Sequence, residues 1–174
     1  TGTGHALTIV VPTATVTAAQ LNTINGATTL PVTATAVTLI NNSTVADILT
    51  VYAANTAGTI TGLGNEAITP STAVTVAQAN SLNALSTGVV TATISDGDMT
   101  TLAGLTDNLD SSGAHVNNGA TPPVNVDNAY TIVITDTTVS AAALNTLDSL
   151  TSVQVDATAT TNLTGNMTDV LAAF

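Results

Sequence analysis

Apolar residues recur at helical spacing in one phrase that the chain repeats three times. The phrase occupies residues 16–28 (VTAAQLNTINGAT), 74–86 (VTVAQANSLNALS) and 139–151 (VSAAALNTLDSLT). After an opening valine, the later apolar residues of each copy follow one another every three positions, which is typical of an amphipathic helix. Repeated supersecondary units bury their core by stacking on one another, so the pattern predicts a repeat architecture.

The beginning of each copy carries the signals of a helix N-terminus. In the first copy Thr17 stands at the N-cap and Gln20 follows three residues later, which completes a capping box. Thr75 and Gln78 repeat this arrangement in the second copy. In the third copy Ser140 takes the N-cap position but alanine replaces the glutamine. We therefore expect three helices, of which the third begins without the reciprocal cap.

Short β-branched runs alternate with these helices and predict strands. The six runs lie at Leu7–Val11, Val32–Val37, Thr59–Leu63, Val89–Ile94, Tyr130–Thr135 and Val153–Thr158. A second type of helix is expected between the copies of the phrase, at Val45–Ala53, Met99–Leu105 and Met167–Ala173. Strands that alternate with short helices pair in parallel through right-handed crossovers.

The fold class that follows is α/β, a right-handed solenoid of about six short strand–helix coils with a parallel sheet. A single repeat domain would span residues 1–174, in imperfect units of about 5–56, 57–127 and 128–174. One long loop excursion is expected at Asp107–Asp127, because this stretch is rich in Gly, Asn, Ser and Asp and contains two adjacent prolines.

Alternation within the strands predicts which side chains face the core. In Tyr130–Thr135, Tyr130, Ile132 and Ile134 would face inward and the residues between them outward. Elsewhere the outward positions are threonines, namely Thr8, Thr33, Thr35, Thr59, Thr61, Thr91 and Thr93. Rows of threonine stack well in a sheet. As an alternative, a regular threonine array orders water in ice-binding solenoids.

The charge of the chain excludes several classes of function. It contains no Lys or Arg but eleven acidic residues, which gives a formal net charge of −11 at pH 7. Nucleic-acid binding requires Lys or Arg against the phosphates, and an anionic membrane surface would repel this chain. Cysteine is absent, so thiolate chemistry and disulfides are excluded. Metal cations are the natural counter-ions.

The densest acidic motif, Asp96-Gly97-Asp98, is the best candidate for a metal site. Ca²⁺ takes carboxylate and carbonyl oxygens as ligands, so Asp96 and Asp98 are candidate Ca²⁺ ligands. The alternative is a turn followed by a helix whose N-cap is Asp98. No other cofactor is expected. Neither His5 nor His115 lies in a motif that would fix a catalytic geometry, and we expect no enzymatic activity.

Neither end of the repeat pattern carries a polar cap. The first strand begins near Leu7 and Ile9, and the last helix ends in Val170, Leu171 and Phe174, which are still apolar. Solenoids need polar terminal coils to block end-to-end pairing. We therefore expect these five residues to stack on further repeats, either of the same chain or of a neighbouring copy.

The third copy of the phrase and the residues after it resemble a known family of repeats. Residues 139–151, followed by VQVDATA at 153–159 and LTGNMTDVLAA at 163–173, resemble repeats in very large surface proteins of marine bacteria and cyanobacteria. Those proteins are adhesins, S-layer-associated or motility-associated proteins, loosely labelled hemolysin-type. The resemblance covers most of the chain and implies an extracellular location and a structural or adhesive role, without catalytic residues. The glycine–aspartate nonapeptide that binds Ca²⁺ is absent.

These observations favour an extracellular structural repeat module that assembles by axial stacking, such as a filament subunit, a surface coat or an adhesin stalk. Its partners would be copies of itself or further repeats of the same chain. The alternatives are a phage fibre segment and an ice-binding or carbohydrate-binding solenoid. Only 2% of the residues are aromatic, which disfavours the carbohydrate-binding alternative because sugar platforms use aromatic faces. Since the chain starts with Thr1, we expect a processed protein or a segment of a longer one.

Overall fold

The computed structural model describes residues 4–106 and 127–173 as a mixed α/β protein. Its strands are β1 (Ile9–Val10), β2 (Thr15–Val16), β3 (Val32–Thr33), β4 (Leu39–Ser43), β5 (Ile60–Thr61), β6 (Ala67–Pro70), β7 (Thr91–Thr93), β8 (Ala129–Thr131), β9 (Thr138–Ser140) and β10 (Asn162–Thr164). Its helices are α1 (Ala18–Ala27), α2 (Val45–Thr56), α3 (Val76–Asn83), α4 (Met99–Leu102), α5 (Ala141–Asp148) and α6 (Met167–Ala172). The described strands form small parallel sheets and no closed barrel.

The described chain passes through six strand–helix segments, each ending in one helix. In four segments two strands precede the helix, and in the other two a strand and an isolated bridge do so. Strands of successive segments pair in parallel, except that the third and fourth segments are connected by the isolated parallel bridge Val74–Ile94. Ile9 pairs with Val32, 23 residues later, and Thr138 pairs with Asn162, 24 residues later. The predicted parallel pairing of short repeats is thus confirmed.

The described residues divide into two compact units. Unit 1 consists of residues 4–72 and 84–88, and unit 2 of residues 73–83, 89–106 and 127–173. Unit 1 contains two three-stranded sheets, with strand orders β1-β3-β5 and β2-β4-β6. Unit 2 contains the two-stranded sheets β7-β8 and β9-β10, together with the parallel bridges Val74–Ile94 and Val133–Asp156.

Strand alternation places rows of apolar side chains in the core of each unit. In unit 1 the paired residues Val32 and Ile60 are fully buried. In unit 2 Tyr130, Ile132 and Ile134 are buried and the residues between them are exposed, as predicted. Full burial of such a side chain contributes about 1.5–3 kcal/mol. In a chain without Lys or Arg, these rows are the main source of stability.

All six predicted helices are present, although α6 ends one residue early, at Ala172, and two others differ by three residues. Helix α2 continues to Thr56, three residues beyond its predicted end, and α4 ends at Leu102 instead of Leu105. Helix α4 stops early because the chain turns at Gly104, whose N–H bonds to the Thr101 carbonyl.

The predicted helix caps are formed as expected. Thr17 and Gln20 make both hydrogen bonds of a capping box at α1. Thr75 and Gln78 do the same at α3, with N···O distances of 3.2 and 3.0 Å. Ser140 precedes α5 without a side-chain capping bond. The third copy thus lacks the capping box, as predicted, but the missing side-chain bond of Ser140 itself was not predicted.

The strands were predicted less well than the helices. Each is shorter than expected, and the strand predicted at Val153–Thr158 is wrong, because this stretch contributes only the Val133–Asp156 bridge. The strands β2, β4, β6, β9 and β10 were not predicted. They lie before helices and contain polar residues, such as Asn41 and Asn42 in β4, so pairing with neighbouring strands defines them more than propensity does. The predicted excursion lies, except for Asp127, outside the described residues.

Candidate assembly surfaces

Both acidic residues of the Asp96-Gly97-Asp98 motif cap helices. The Asp96 carboxylate accepts a hydrogen bond at 2.7 Å from the N–H of Val76, the first residue of α3. Asp98 is the N-cap of α4, and its Oδ1 accepts a bond at 2.9 Å from the N–H of Thr101. This backbone hydrogen bond holds the pKa of Asp98 below its usual value of 3.8. The motif thus joins the N-termini of two helices.

Gly97 lies against the segment that follows. Its carbonyl accepts a hydrogen bond from the Thr135 N–H at 2.8 Å. A Cβ on Gly97 would lie 2.6 Å from Thr135 Cγ2 and 3.0 Å from the Val133 carbonyl oxygen. Within the described ranges, no group of three or more His, Asp or Glu side chains could hold a metal ion. The proposed Ca²⁺ role of Asp96 and Asp98 stays a prediction, while their geometry matches the capping alternative.

Side chains of a following segment complete two further helix N-termini. Ser43 Oγ accepts a bond at 2.8 Å from the N–H of Ala18, the first residue of α1. Asp136 accepts a bond at 2.6 Å from the N–H of Met99, the first residue of α4. The first N–H groups of a helix have no partner within it, and negative charge is favourable there. Together with Asp96 at α3, these contacts show that a side chain of the following segment completes the N-terminus of α1, α3 and α4.

An asparagine at the same position of every phrase copy connects its helix to the next segment. The Nδ2 atoms of Asn22, Asn80 and Asn145 donate to the backbone carbonyls of Asp47, Gly104 and Asp169 at 3.1, 2.7 and 3.0 Å. We call these contacts the asparagine clips. These contacts were not predicted from the sequence, although asparagine recurs at one position of every phrase copy.

The last residue of every phrase copy is a hydroxyl residue that binds the backbone of the preceding segment. These residues are Thr28, Ser86 and Thr151. Thr151 Oγ1 donates to the Tyr130 carbonyl at 2.8 Å and accepts from the Tyr130 N–H at 2.9 Å. Thr28 makes the same pair of bonds with Leu7, and Ser86 donates to the carbonyl of Glu66. Because each partner lies 20 or 21 residues earlier, the contact joins neighbouring segments.

Other threonines donate twice to one carbonyl of the preceding segment. Both the N–H and the Oγ1 of Thr38 donate to the Ala14 carbonyl, at 2.8 and 3.3 Å. Thr161 does the same to the carbonyl of Thr137, at 2.9 and 3.3 Å. In these contacts the hydroxyl belongs to the later segment and the carbonyl to the earlier one. The junctions therefore have a direction, and the abundance of threonine has a structural reason.

The burial of side chains also differs between the first and the last segment. Among the described residues, the strands of the first segment pair with strands of the next segment alone, yet Val11, Val16, Ala18 and Leu21 of this segment are buried. Thr151 of the last segment is buried, but in residues 153–173 of that segment no side chain is buried. Of these two terminal segments, the one that has a following segment therefore contains buried side chains, and residues 153–173 of the other contain none.

The first segment leaves an apolar concavity on unit 1, which we call the head concavity. Its volume is about 540 Å³, and its lining includes Ile9, Val10, Leu21 and Ile24. Val10 is 60% exposed and the adjacent Leu7 is 53% exposed. None of the lining residues is charged. Leu7 and Ile9 of this region were predicted from the sequence to be assembly residues, whereas Val10 and Ile24 were not.

The last segment exposes an apolar ridge on unit 2, which we call the tail ridge and define as Met167, Val170 and Leu171 of α6. Met167 is 72% exposed, Leu171 is 69% exposed, and Val170 is half-buried. Two exposed carboxylates lie in this part of the chain: Asp148 at the end of α5, in the segment before the last, and Asp156 in the last segment. Phe174, the remaining predicted assembly residue, lies outside the described residues.

Unit 1 also contains a fully buried carboxylate, that of Glu66. It accepts hydrogen bonds from the Tyr52 hydroxyl, from the Gly64 N–H at 2.8 Å and from the Asn65 N–H at 3.2 Å. Burial and the hydrogen bond to Glu66 raise the pKa of Tyr52 above its usual range. These donors hold the turn between β5 and β6, so we assign Glu66 a structural role.

The predicted threonine array is short in the described residues. In the sheet β1-β3-β5, one row of paired residues consists of Val10, Thr33 and Thr61, so a valine interrupts the threonines. The Thr61 hydroxyl donates a hydrogen bond to the Val32 carbonyl at 3.4 Å. His5 forms a backbone bridge with Thr28 and is exposed, whereas His115 lies outside the described residues.

Comparisons of the chain with protein-family models, with curated proteins and with solved structures found no match. Within the ranges 4–106 and 127–173, no helix has the length and apolar character needed to cross a bilayer.

Proposed function

We propose that this chain is an extracellular structural repeat module, a filament subunit, surface coat or adhesin stalk, and that it assembles by axial stacking. In this proposal its six strand–helix segments form a right-handed solenoid, and its role is mechanical and not catalytic. The observation that carries the proposal is the pair of uncovered apolar surfaces, the head concavity on the first segment and the tail ridge on the last.

Physical chemistry supports this role in two ways. Parallel ladders, with hydroxyl and asparagine contacts at the junctions that follow the three phrase copies, give a stiff array. Open strand edges are templates for pairing with another chain. The composition adds support for an extracellular location, because a chain without Lys or Arg offers no cleavage site to trypsin-like proteases.

Sedimentation velocity over a concentration series, with electron microscopy of the same samples, tests the assembly. We expect unbranched linear particles whose length increases with protein concentration. Monodisperse single copies at every concentration would contradict the proposal. Immunolabelling of intact, non-permeabilised source cells tests the location, and labelling only after permeabilisation would exclude an extracellular role.

A further inference from the structure

We infer that the partner of the head concavity is the tail ridge of a second copy of this chain, so that copies join head to tail. This inference rests on the proposed function and specifies its interface. The occupant would be helix α6 of the second copy, with Met167 and Leu171 entering the concavity between β1, β2 and α1. The two surfaces match in shape, since one is concave and the other presents side chains that are 72% and 69% exposed.

The order of helix types along the chain supports this pairing. Helices that carry an asparagine clip, α1, α3 and α5, alternate with helices that lack one, α2, α4 and α6. In α6, Leu171 stands five residues after the N-cap, the position that Asn22 holds in α1. Joining α6 of one copy to α1 of the next continues the alternation across the junction.

The strands provide a precedent within unit 1. Strand β4 leads into α2, a helix without a clip, and it pairs in parallel with β6 of the next segment. Strand β10 leads into α6 and pairs with β9 alone among the described strands, whereas β2 pairs with β4 alone. Pairing of β10 with β2 of the second copy would reproduce the β4–β6 junction in the same orientation.

Charge favours this orientation over symmetric ones. The last two segments contain the exposed carboxylates of Asp148, which lines a surface hollow together with Ala172 of α6, and of Asp156, while the lining of the head concavity is uncharged. Tail-to-tail contact would bring like charges together, which is destabilising at short range. Head-to-head contact would oppose two concavities and leave both unfilled. A head-to-tail contact is heterologous, and repetition of such a contact yields open linear assemblies.

Two blocked variants test the polarity of the junction. Val10→Asp blocks the head, and Met167→Asp with Leu171→Asp blocks the tail; all three side chains are more than half exposed, so the changes leave the core intact. We expect each variant alone to remain a single copy and an equimolar mixture to form a dimer with one copy of each, read by native mass spectrometry. Leu30→Asp, at a 40% exposed position outside the concavity lining, is the matched control and should assemble like the unmodified chain.

The possible outcomes separate the inference from the proposed function. Dimers of either variant alone, a mixture that stays unpaired while the unmodified chain assembles, or loss of assembly in Leu30→Asp would overturn the head-to-tail inference. An unmodified chain that never assembles would overturn the proposed function as well. Circular dichroism checks that every variant is folded. If the head variant is not folded, Val10→Asn replaces it, and if the tail variant is not folded, Leu171→Asn replaces it.

Discussion

Helices α1 and α6 begin with similar local signals but differ completely in burial. Thr17 caps α1 and Asn166 caps α6, each through a side-chain oxygen that accepts a backbone N–H. In α1, Ala18 and Leu21 are fully buried, whereas α6 has no buried residue. Another described segment follows α1 but none follows α6. Short helices draw their stability mainly from tertiary packing, so the comparison locates that stability in the junction with the following segment.

The largest test of this comparison is the loss of a leucine from each helix. Leu21→Ala removes a fully buried side chain and should lower the free energy of unfolding by about 2–5 kcal/mol. Leu171→Ala changes a side chain that is mostly exposed and should alter it by less than about 0.5 kcal/mol. Urea unfolding at a dilution where the protein is unassembled measures both. Equal losses for the two variants would refute the difference between α1 and α6.

A pair of glycine substitutions compares a junction with an open helix surface. Gly97→Ala places a methyl group against Thr135 and the Val133 carbonyl of the following segment, and should destabilise by about 1–3 kcal/mol. Gly26→Ala in α1 meets no atom within 4 Å and should stabilise by about 0.5–1 kcal/mol. Thermal unfolding of both variants gives the sign directly. A neutral Gly97→Ala would show that this junction is loose.

The smallest expected effect concerns acid stability. The N–H of Thr101 lowers the pKa of Asp98, and that of Thr158 lowers the pKa of Asp156. Because a lowered pKa favours the folded state only while the carboxyl is ionised, this stability is present above about pH 4 and lost as the pH falls through the lowered pKa. Asp98→Asn keeps an N-cap acceptor, so we expect little change at pH 7 and a shallower decline in acid.

Asp156→Asn sharpens the same experiment. Asp156 lies in residues 153–173 of the last segment, where no side chain is buried, so local opening should uncouple it from global unfolding. Its effect on the acid decline should therefore be smaller than that of Asp98→Asn. Urea unfolding from pH 2.5 to 7 measures both curves, and a larger effect at Asp156 would contradict the account.

Local signals made the helices predictable from the sequence. Caps such as Thr17 with Gln20 act within one turn of the chain, so three residues suffice to locate a helix start. The rows of inward residues in Tyr130–Thr135 were predictable for the same reason, since alternation is a local property of strands. The third copy shows how much depends on one residue, because it has alanine in place of the glutamine and no capping box forms at Ser140.

Contacts between segments were not predictable in this way. Strand β4 contains Asn41 and Asn42, and only its pairing with β2 and β6 makes it a strand. The roles of Asp96 and Asn22 depend likewise on partners 20 and 25 residues away. Spacing along the chain does not reveal such partners unless the register is known. Of the residues of the head concavity and the tail ridge, Ile9, Val170 and Leu171 were predicted to be surface-forming from their apolar sequence context, but the shape of the head concavity required the fold.

Amide hydrogen exchange at two protein concentrations tests the central claim that copies join through the uncovered first and last segments. The account predicts that assembly slows exchange in β1, β2 and α1 and in β10 and α6, and leaves the interior strands β3 and β8 unchanged. Protection at only one of these two ends, or at neither while linear particles form, would contradict it.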